Sequence, residues 1–309
     1  MNRDDIIDHA LDICREYESL DLTLTLRQLY YQFVARGLLP NGQKVYKRLG
    51  STLTTARYDG RFPIRYIEDR GRVVRPGDYD QDCTDLDSCD RTAARYARAI
   101  PDWSVKRSRW FNQQTHVSVW VEKEALSGVV GPTCDDLDVG WFACKGYPSV
   151  SSLADWIKQT HSTVSDWDNE TSQASIIYLG DHDPDGLEIP QSIERNVRTL
   201  MSTLGKHFPF HVERVALTTE QIREHNPPPF PAKMTSARFQ KYVATTGLMD
   251  AWELDALDPV TMRTLIRSKV EAHWDARVHE KNVAEVEYTK GRLIDRMRQD
   301  GWMQSALED

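Results

Sequence analysis

The sequence predicts an α/β protein: a central parallel-sheet domain preceded by a small basic helical domain and followed by a helical carboxyl segment. Two observations predict the sheet. Apolar, β-rich runs alternate with helical stretches between residues 116 and 217, and each run ends in residues that suit chemistry at a strand end. A third observation sets the first domain apart. Net charge over the 309 residues is −8, yet Thr23 to Arg75 holds eleven basic residues against three acidic ones.

The elements follow in order. Thr25 is placed as an N-cap, and Leu26, Leu29, Tyr30, Phe33 and Val34 recur at helical spacing until Gly37 and Pro40. A second helix from about Gln43 to Arg57 sets Tyr46, Leu49, Leu53 and Ala56 on one side and Lys44, Lys47 and Arg48 largely on the other. Ile64 to Ile67 and Arg72 to Val74 read as a basic hairpin turning at Asp69 to Gly71. Helix, basic helix and basic hairpin are the order of a winged helix, and the same pattern also suits an ordinary small helical domain with solvated basic faces; on the first of these readings the basic residues meet nucleic acid. Lys44, Lys47, Arg48 and Arg57 are then the expected contacts to double-stranded DNA.

The strands are expected at His116 to Val121, Val139 to Cys144, Ser175 to Gly180 and His211 to Leu217. Helices are expected at 123 to 130, Ser149 to Ile157 and Pro190 to Leu204. Domain limits are placed at 1–76, 77–113 for an acidic linker and helix, 114–260 for the sheet domain and 261–309 for the helical end. Asn226 to Pro231 reads as a rigid loop.

Several classes are excluded at once. No run reaches the roughly 18 apolar residues of a spanning helix, and Asp4 and Asp5 stand where a signal peptide would be basic and then apolar, so a cytoplasmic protein without membrane contact is expected. Five cysteines without a CxxC pair exclude a disulfide framework and a structural zinc site. The acidic run Asp78 to Asp90 fails as a calcium loop, because Cys83 stands where the turn needs Gly and no Glu closes the frame. No GxxxxGK[ST] occurs, so any ATP-driven step needs a separate ATPase subunit.

Glu122 and Asp181 fall just beyond the first and third strands. In Gly180-Asp181-His182-Asp183-Pro184-Asp185-Gly186 the two outer aspartates of the DxD share one side of an extended chain, and Pro184 and Gly186 force a turn. Like charges so held call for a cation. Magnesium is the expected one, on Glu122, Asp181 and Asp183, with Glu122 also a candidate base. A phosphatase of the haloacid-dehalogenase type is disfavoured, since Gly186 follows the motif and the strand is the third. His182 alternates to the opposite face and reads as structural. In the first helix Tyr30 belongs to the apolar stripe, whereas Tyr31 lies about 100° round, one turn after Arg27. Of the two, only Tyr31 is placed to meet a phosphate, which Arg27 could orient; the pattern fits equally a surface tyrosine without a chemical role.

Glu122-Lys123-Glu124-Ala125, Lys145-Gly146-Tyr147-Pro148 and the Gly180 to Gly186 motif, in this order, resemble the Toprim domain of the DNA-cleaving chain of topoisomerase VI and of the meiotic double-strand-break transesterases. Arg27-Gln28-Leu29-Tyr30-Tyr31 stands where that family has its tyrosine motif, and Trp252 to Leu257 is similar to its acidic stretch. More particularly the chain resembles the short stand-alone Mini-A members. Gln28, Ser149 and Asp185 depart from the family pattern. The resemblance implies cleavage of duplex DNA by Tyr31 with magnesium, and a homodimer joining the tyrosine of one protomer to the Toprim site of the other. Two alternatives stand beside it: a metal-dependent nuclease using water, and a catalytically idle DNA-binding or assembly protein. Glu253 and Asp255 read as surface or salt-bridge acids, with a supporting role near the metal as the alternative.

Overall fold

A computed structural model describes residues 1–68, 102, 104–165, 172–231 and 238–299. The chain divides into two units, Met1–Val73 with Gln114–His273, and Val74–Gln113 with Trp274–Asp309.

The first unit opens with a helix not expected from the sequence, α1 (Arg3–Glu18). Its signals are an Asn2–Asp5 capping box and a stripe of Ile6, Ala10, Ile13 and Tyr17. Helix α2 (Leu26–Ala35) starts at Thr25 as expected, and Gln28 returns the cap: its Oε1 accepts from Thr25 N at 2.9 Å. Glutamine and glutamate serve this box alike. Helix α3 (Gln43–Tyr58) buries Leu49, Leu53 and Ala56 and exposes Lys44, Lys47 and Arg48. The three helices share one core with Phe62, Tyr66 and Ile67.

The first arm of the expected hairpin is not a strand. Ile64–Tyr66 forms a 3₁₀ turn, and Ile67 makes a single parallel bridge to Leu24. Side chains take the carbonyls a strand neighbour would have used: Arg57 donates to Ile64 and Ile67, and the Cys14 thiol to Tyr66. The turn at 69–71 and the arm at 72–74 lie outside the described residues, as do the acidic run at 78–90, Cys83 and Cys89.

The sheet holds four parallel strands, β1 (Thr115–Val121), β2 (Gly140–Ala143), β3 (Gln173–Leu179) and β4 (Phe210–Ala216), in the order β2-β1-β3-β4. The central strands β1 and β3 are covered on both faces, which is why they read as nearly continuous apolar runs. On one face Trp120, Ile176 and Tyr178 pack with Leu153 and Ile157 of α5 (Val150–Ser165) and Ile193 and Val197 of α6 (Ile189–Leu204). Val119, Val121, Ile177 and Leu179 alternate to the other face, toward α4 (Ser127–Asp136) and α9 (Pro259–Glu271). Ser149 caps α5 by accepting from Ser152 N.

Between these helices lie α7 (Thr219–His225), α8 (Phe239–Thr246) and a two-residue antiparallel pair, β5 (Phe230–Pro231) and β6 (Asp250–Ala251). His182 and Trp252 exchange main-chain hydrogen bonds at 2.8 and 3.0 Å, bringing residues 253–255 beside the Gly180–Gly186 loop. The second unit contains α10 (Ala276–Gln299), where Gln113 exchanges two hydrogen bonds with the Asp275 backbone and Asn282 donates to Phe111 O. Among the described residues no helix is long and apolar enough to cross a membrane.

The loop after β3 has no room for side chains at its glycines. A Cβ on Gly186 would lie 2.2 Å from the Asp181 carbonyl, a main-chain atom that cannot step aside. Gly186→Ala is expected to lower stability by about 3 kcal/mol or more, read as a drop in the urea midpoint. Gly140→Ala, which meets nothing within 4 Å, leaves it nearly unchanged.

Candidate functional site

The register Val121↔Leu179 sets Glu122 and Gly180 side by side at the carboxyl ends of the two central strands. Glu122 N donates to Leu179 O at 2.8 Å, and Glu122 Oε2 in turn accepts from Asp181 N at 2.9 Å. That second bond requires glycine at 180, where a Cβ would come within 2.7 Å of Glu122 Oε2. Arg214 of β4 braces the loop from behind. Its guanidinium donates to the carbonyls of Gly186 (2.8 Å), Gly180 (3.0 Å), Asp181 (2.6 Å) and Leu217 (3.1 Å). Its burial holds its pKa below the ordinary arginine value.

Burial, then the nearby Asp181 and Asp183, pushes the Glu122 carboxyl up to about 7. Asp181 is also raised by burial, against the pull of Lys123 and the Leu254 amide. Its Oδ1 accepts from Leu254 N at 2.8 Å, and its Oδ2 lies 2.9 Å from Lys123 Nζ. Asp183 Oδ1 accepts from Gly186 N at 2.5 Å.

Lys123 carries the site toward the helical bundle. Its ammonium lies 2.9 Å from Asp255 Oδ2 and 3.8 Å from Glu253 Oε2. Burial opposes its charge, but Asp255, Asp181 and Glu253 outweigh burial and hold its pKa above the usual lysine range. Arg27 Nη1 lies 2.6 and 2.5 Å from the two oxygens of Glu253, and the Tyr31 hydroxyl donates to Glu253 Oε2 at 2.9 Å. Burial also opposes the charge on Glu253. Lys123, Arg27 and Tyr31 win, so its pKa sits below the ordinary carboxylate value.

Arg27, Tyr31, Glu122, Asp181 and Asp183 therefore belong to one connected site, through Lys123 and Glu253. Tyr31 is not the exposed residue that helical phase predicts. It is 5% exposed, because α2 packs on its own bundle and also on the 254–256 turn. Burial, then Glu253, pushes its phenol well above the ordinary tyrosine range. Tyr30 is core, as expected. Glu253 and Asp255 are salt-bridge acids but not surface ones: the Asp255 side chain is fully buried and its Oδ1 has no hydrogen-bond partner.

Lys44, Lys47 and Arg48 stay exposed on α3, and Arg57 lines a cleft of about 750 Å³ with Arg27, Lys123 and Glu122. His182 is buried between Tyr242 Oη (3.0 Å) and Thr219 Oγ1 (3.1 Å), its pKa pushed down to about 4 chiefly by burial. Asp185 pairs with Arg238 at 2.7 Å. Sequence reasoning misses Lys123 and Arg214 as site residues. Lys123 has a signal, being the residue after a strand-end glutamate; a single arginine in a strand has none.

Among the described residues no three His, Cys, Asp or Glu side chains are grouped as a metal centre. The donor chemistry nevertheless fits a hard divalent cation. Among the described residues Glu122 and Asp183 each keep one oxygen outside any hydrogen bond, and Glu122 is raised by burial first and by the neighbouring Asp181 and Asp183 after it. No protein-family model, curated protein or solved structure matches the chain.

The Glu122 shift has a pH signature. Below about pH 4.5 both folded and unfolded chains are protonated there; between 4.5 and 7 the unfolded chain loses a proton that the folded one keeps, so stability falls as pH rises and levels off above 7. Urea midpoints at pH 5 and pH 8 should differ less in Glu122→Gln than in the unaltered protein.

Proposed function

We propose that this chain cleaves double-stranded DNA at the strand-end carboxylates, with Tyr31 as the nucleophile, in the manner of the DNA-cleaving chain of topoisomerase VI, with a winged-helix module and a Toprim domain. The observation that carries the reading is the link between Tyr31 and Asp181: only Glu253 and Lys123 intervene between the phenol and the strand-end acids. In the reaction the Tyr31 Oη–P bond forms, the P–O3′ bond breaks and the 3′ oxygen leaves as a hydroxyl, with Glu122 assisting proton transfer. Arg27 orients the phosphate. Glu122, Asp181 and Asp183 would hold magnesium, which when bound would supply charge neutralisation for a phosphate. Lys44, Lys47 and Arg48, exposed on α3, give the duplex its phosphate contacts.

A water-using nuclease is the second reading, and one observation favours it: the Tyr31 hydroxyl is buried and donates its hydrogen bond to the Glu253 carboxylate. The Tyr31–Glu253 contact also forms within one chain, so pairing tyrosine with acids does not by itself call for the two-fold dimer. A separate ATPase subunit would be needed for ATP-driven strand passage.

End-labelled plasmid incubated with the protein and magnesium, then run on a denaturing gel, tests both readings. Transesterification leaves protein on the ends; Tyr31→Phe abolishes adduct and cleavage together, and Asp183→Asn lowers cleavage by about a hundredfold or more. Undiminished cutting by Tyr31→Phe with no attached protein leaves the nuclease. No cutting by the unaltered protein removes both.

A further inference from the structure

Glu253 sits among donors in a way that an ordinary salt bridge does not need. One arginine nitrogen meets both of its oxygens, a tyrosine hydroxyl donates to Oε2, and an ammonium lies 3.8 Å from the same oxygen. Each donor also suits an oxyanion of another kind. A guanidinium, a phenol and an ammonium converging on two oxygens are what a phosphodiester requires, and guanidinium binds carboxylate and phosphate through the same two-oxygen face.

There is open space beside Glu253. A cavity of about 150 Å³ opens there, bounded by Arg27, Lys123, Asp181, Asp183, Phe230 and Glu253. It joins the donors to the carboxylates proposed to hold magnesium. Lys123 is shared between the two, since it also pairs with Asp181 and Asp255. A plain strut between α2 and the 250–257 segment would need Arg27 and Glu253 alone. It would not need the tyrosine, the lysine or the cavity.

We infer that Arg27, Tyr31 and Lys123 form a phosphate-binding site and that the carboxylate of Glu253 is its internal occupant, which an incoming phosphate group displaces. This rests on the functional reading above for its biological ligand, a DNA phosphodiester, but the site itself is defined by the three donors. Displacement frees the Tyr31 hydroxyl from Glu253 and transfers Arg27 from carboxylate to phosphate. Glu253 thereby sets how strongly the site takes phosphate, because a tethered anion competes with a free one.

The probe is inorganic phosphate, measured by equilibrium dialysis against the full chain. Glu253→Ala should bind it about tenfold more tightly than the unaltered protein, and Arg27→Gln combined with Glu253→Ala should abolish the gain. Glu253→Gln, which keeps the shape without the charge, should gain in the same direction and serves if the alanine variant does not fold. The proposal is overturned if both Glu253 variants, folded by circular dichroism, bind phosphate no better than the unaltered protein, or if the gain persists without Arg27. Labelled duplex DNA separates this from the functional reading. A phosphate gain with no duplex binding or cleavage by any variant leaves the site standing and removes DNA as its ligand. Cleavage by the unaltered protein with no phosphate gain does the reverse.

Discussion

The acidic loop exists because a guanidinium is buried behind it. Arg214 leaves water and meets four main-chain carbonyls, not a carboxylate. That choice of partners matters. An Asp or Glu would have cancelled its charge locally, whereas the carbonyls accept from its two terminal nitrogens only, Nε having no partner among the described residues, and its positive charge stays under Glu122, Asp181 and Asp183. The same bonds gather the carbonyls of residues 180, 181, 186 and 217, so the loop is shaped from its main chain and its carboxylates are spared for other work.

From the strand ends the charges run outward in alternation: Asp181, Lys123, Glu253, Arg27. Such a chain of half-buried ions adds little net stability, but loss of one member strands its neighbours without partners. Helix α2 is in this way fastened to the sheet by electrostatics as well as by apolar contact. A ligand that changes the charge balance at one end acts on the other through Lys123, which contacts acids on both sides.

The sheet is legible in the sequence because its two central strands are covered on both faces and write themselves as VSVWV and SIIYL. Thr25 is legible because capping is local. What escapes depends on distant partners. The phase of α2 places Tyr31 off the apolar stripe, and only the return of the chain at residues 253–255 covers it. The hairpin arm fails for a similar reason: Ile64 to Ile67 has strand-like residues, but Arg57 and Cys14 take their carbonyls. Helix α1 is the exception, since its Asn2–Asp5 capping box is a local signal that the sequence carries in full.

The tightness of the Gly180–Gly186 loop also bears on how such a site can drift over generations. Position 186 is closed to a side chain by a main-chain carbonyl, and at 180 a side chain would have to push aside the Glu122 carboxylate and the Tyr178 phenol. Position 182 is tied to Tyr242 and Thr219 in the interior. Asp185 is half-exposed, and among the described residues its carboxylate pairs with Arg238, which itself lies over the Tyr147 ring. An aromatic residue could replace it by stacking where the carboxylate now pairs, so of positions 180, 182, 185 and 186 it is 185 where a change of side chain disturbs the loop least.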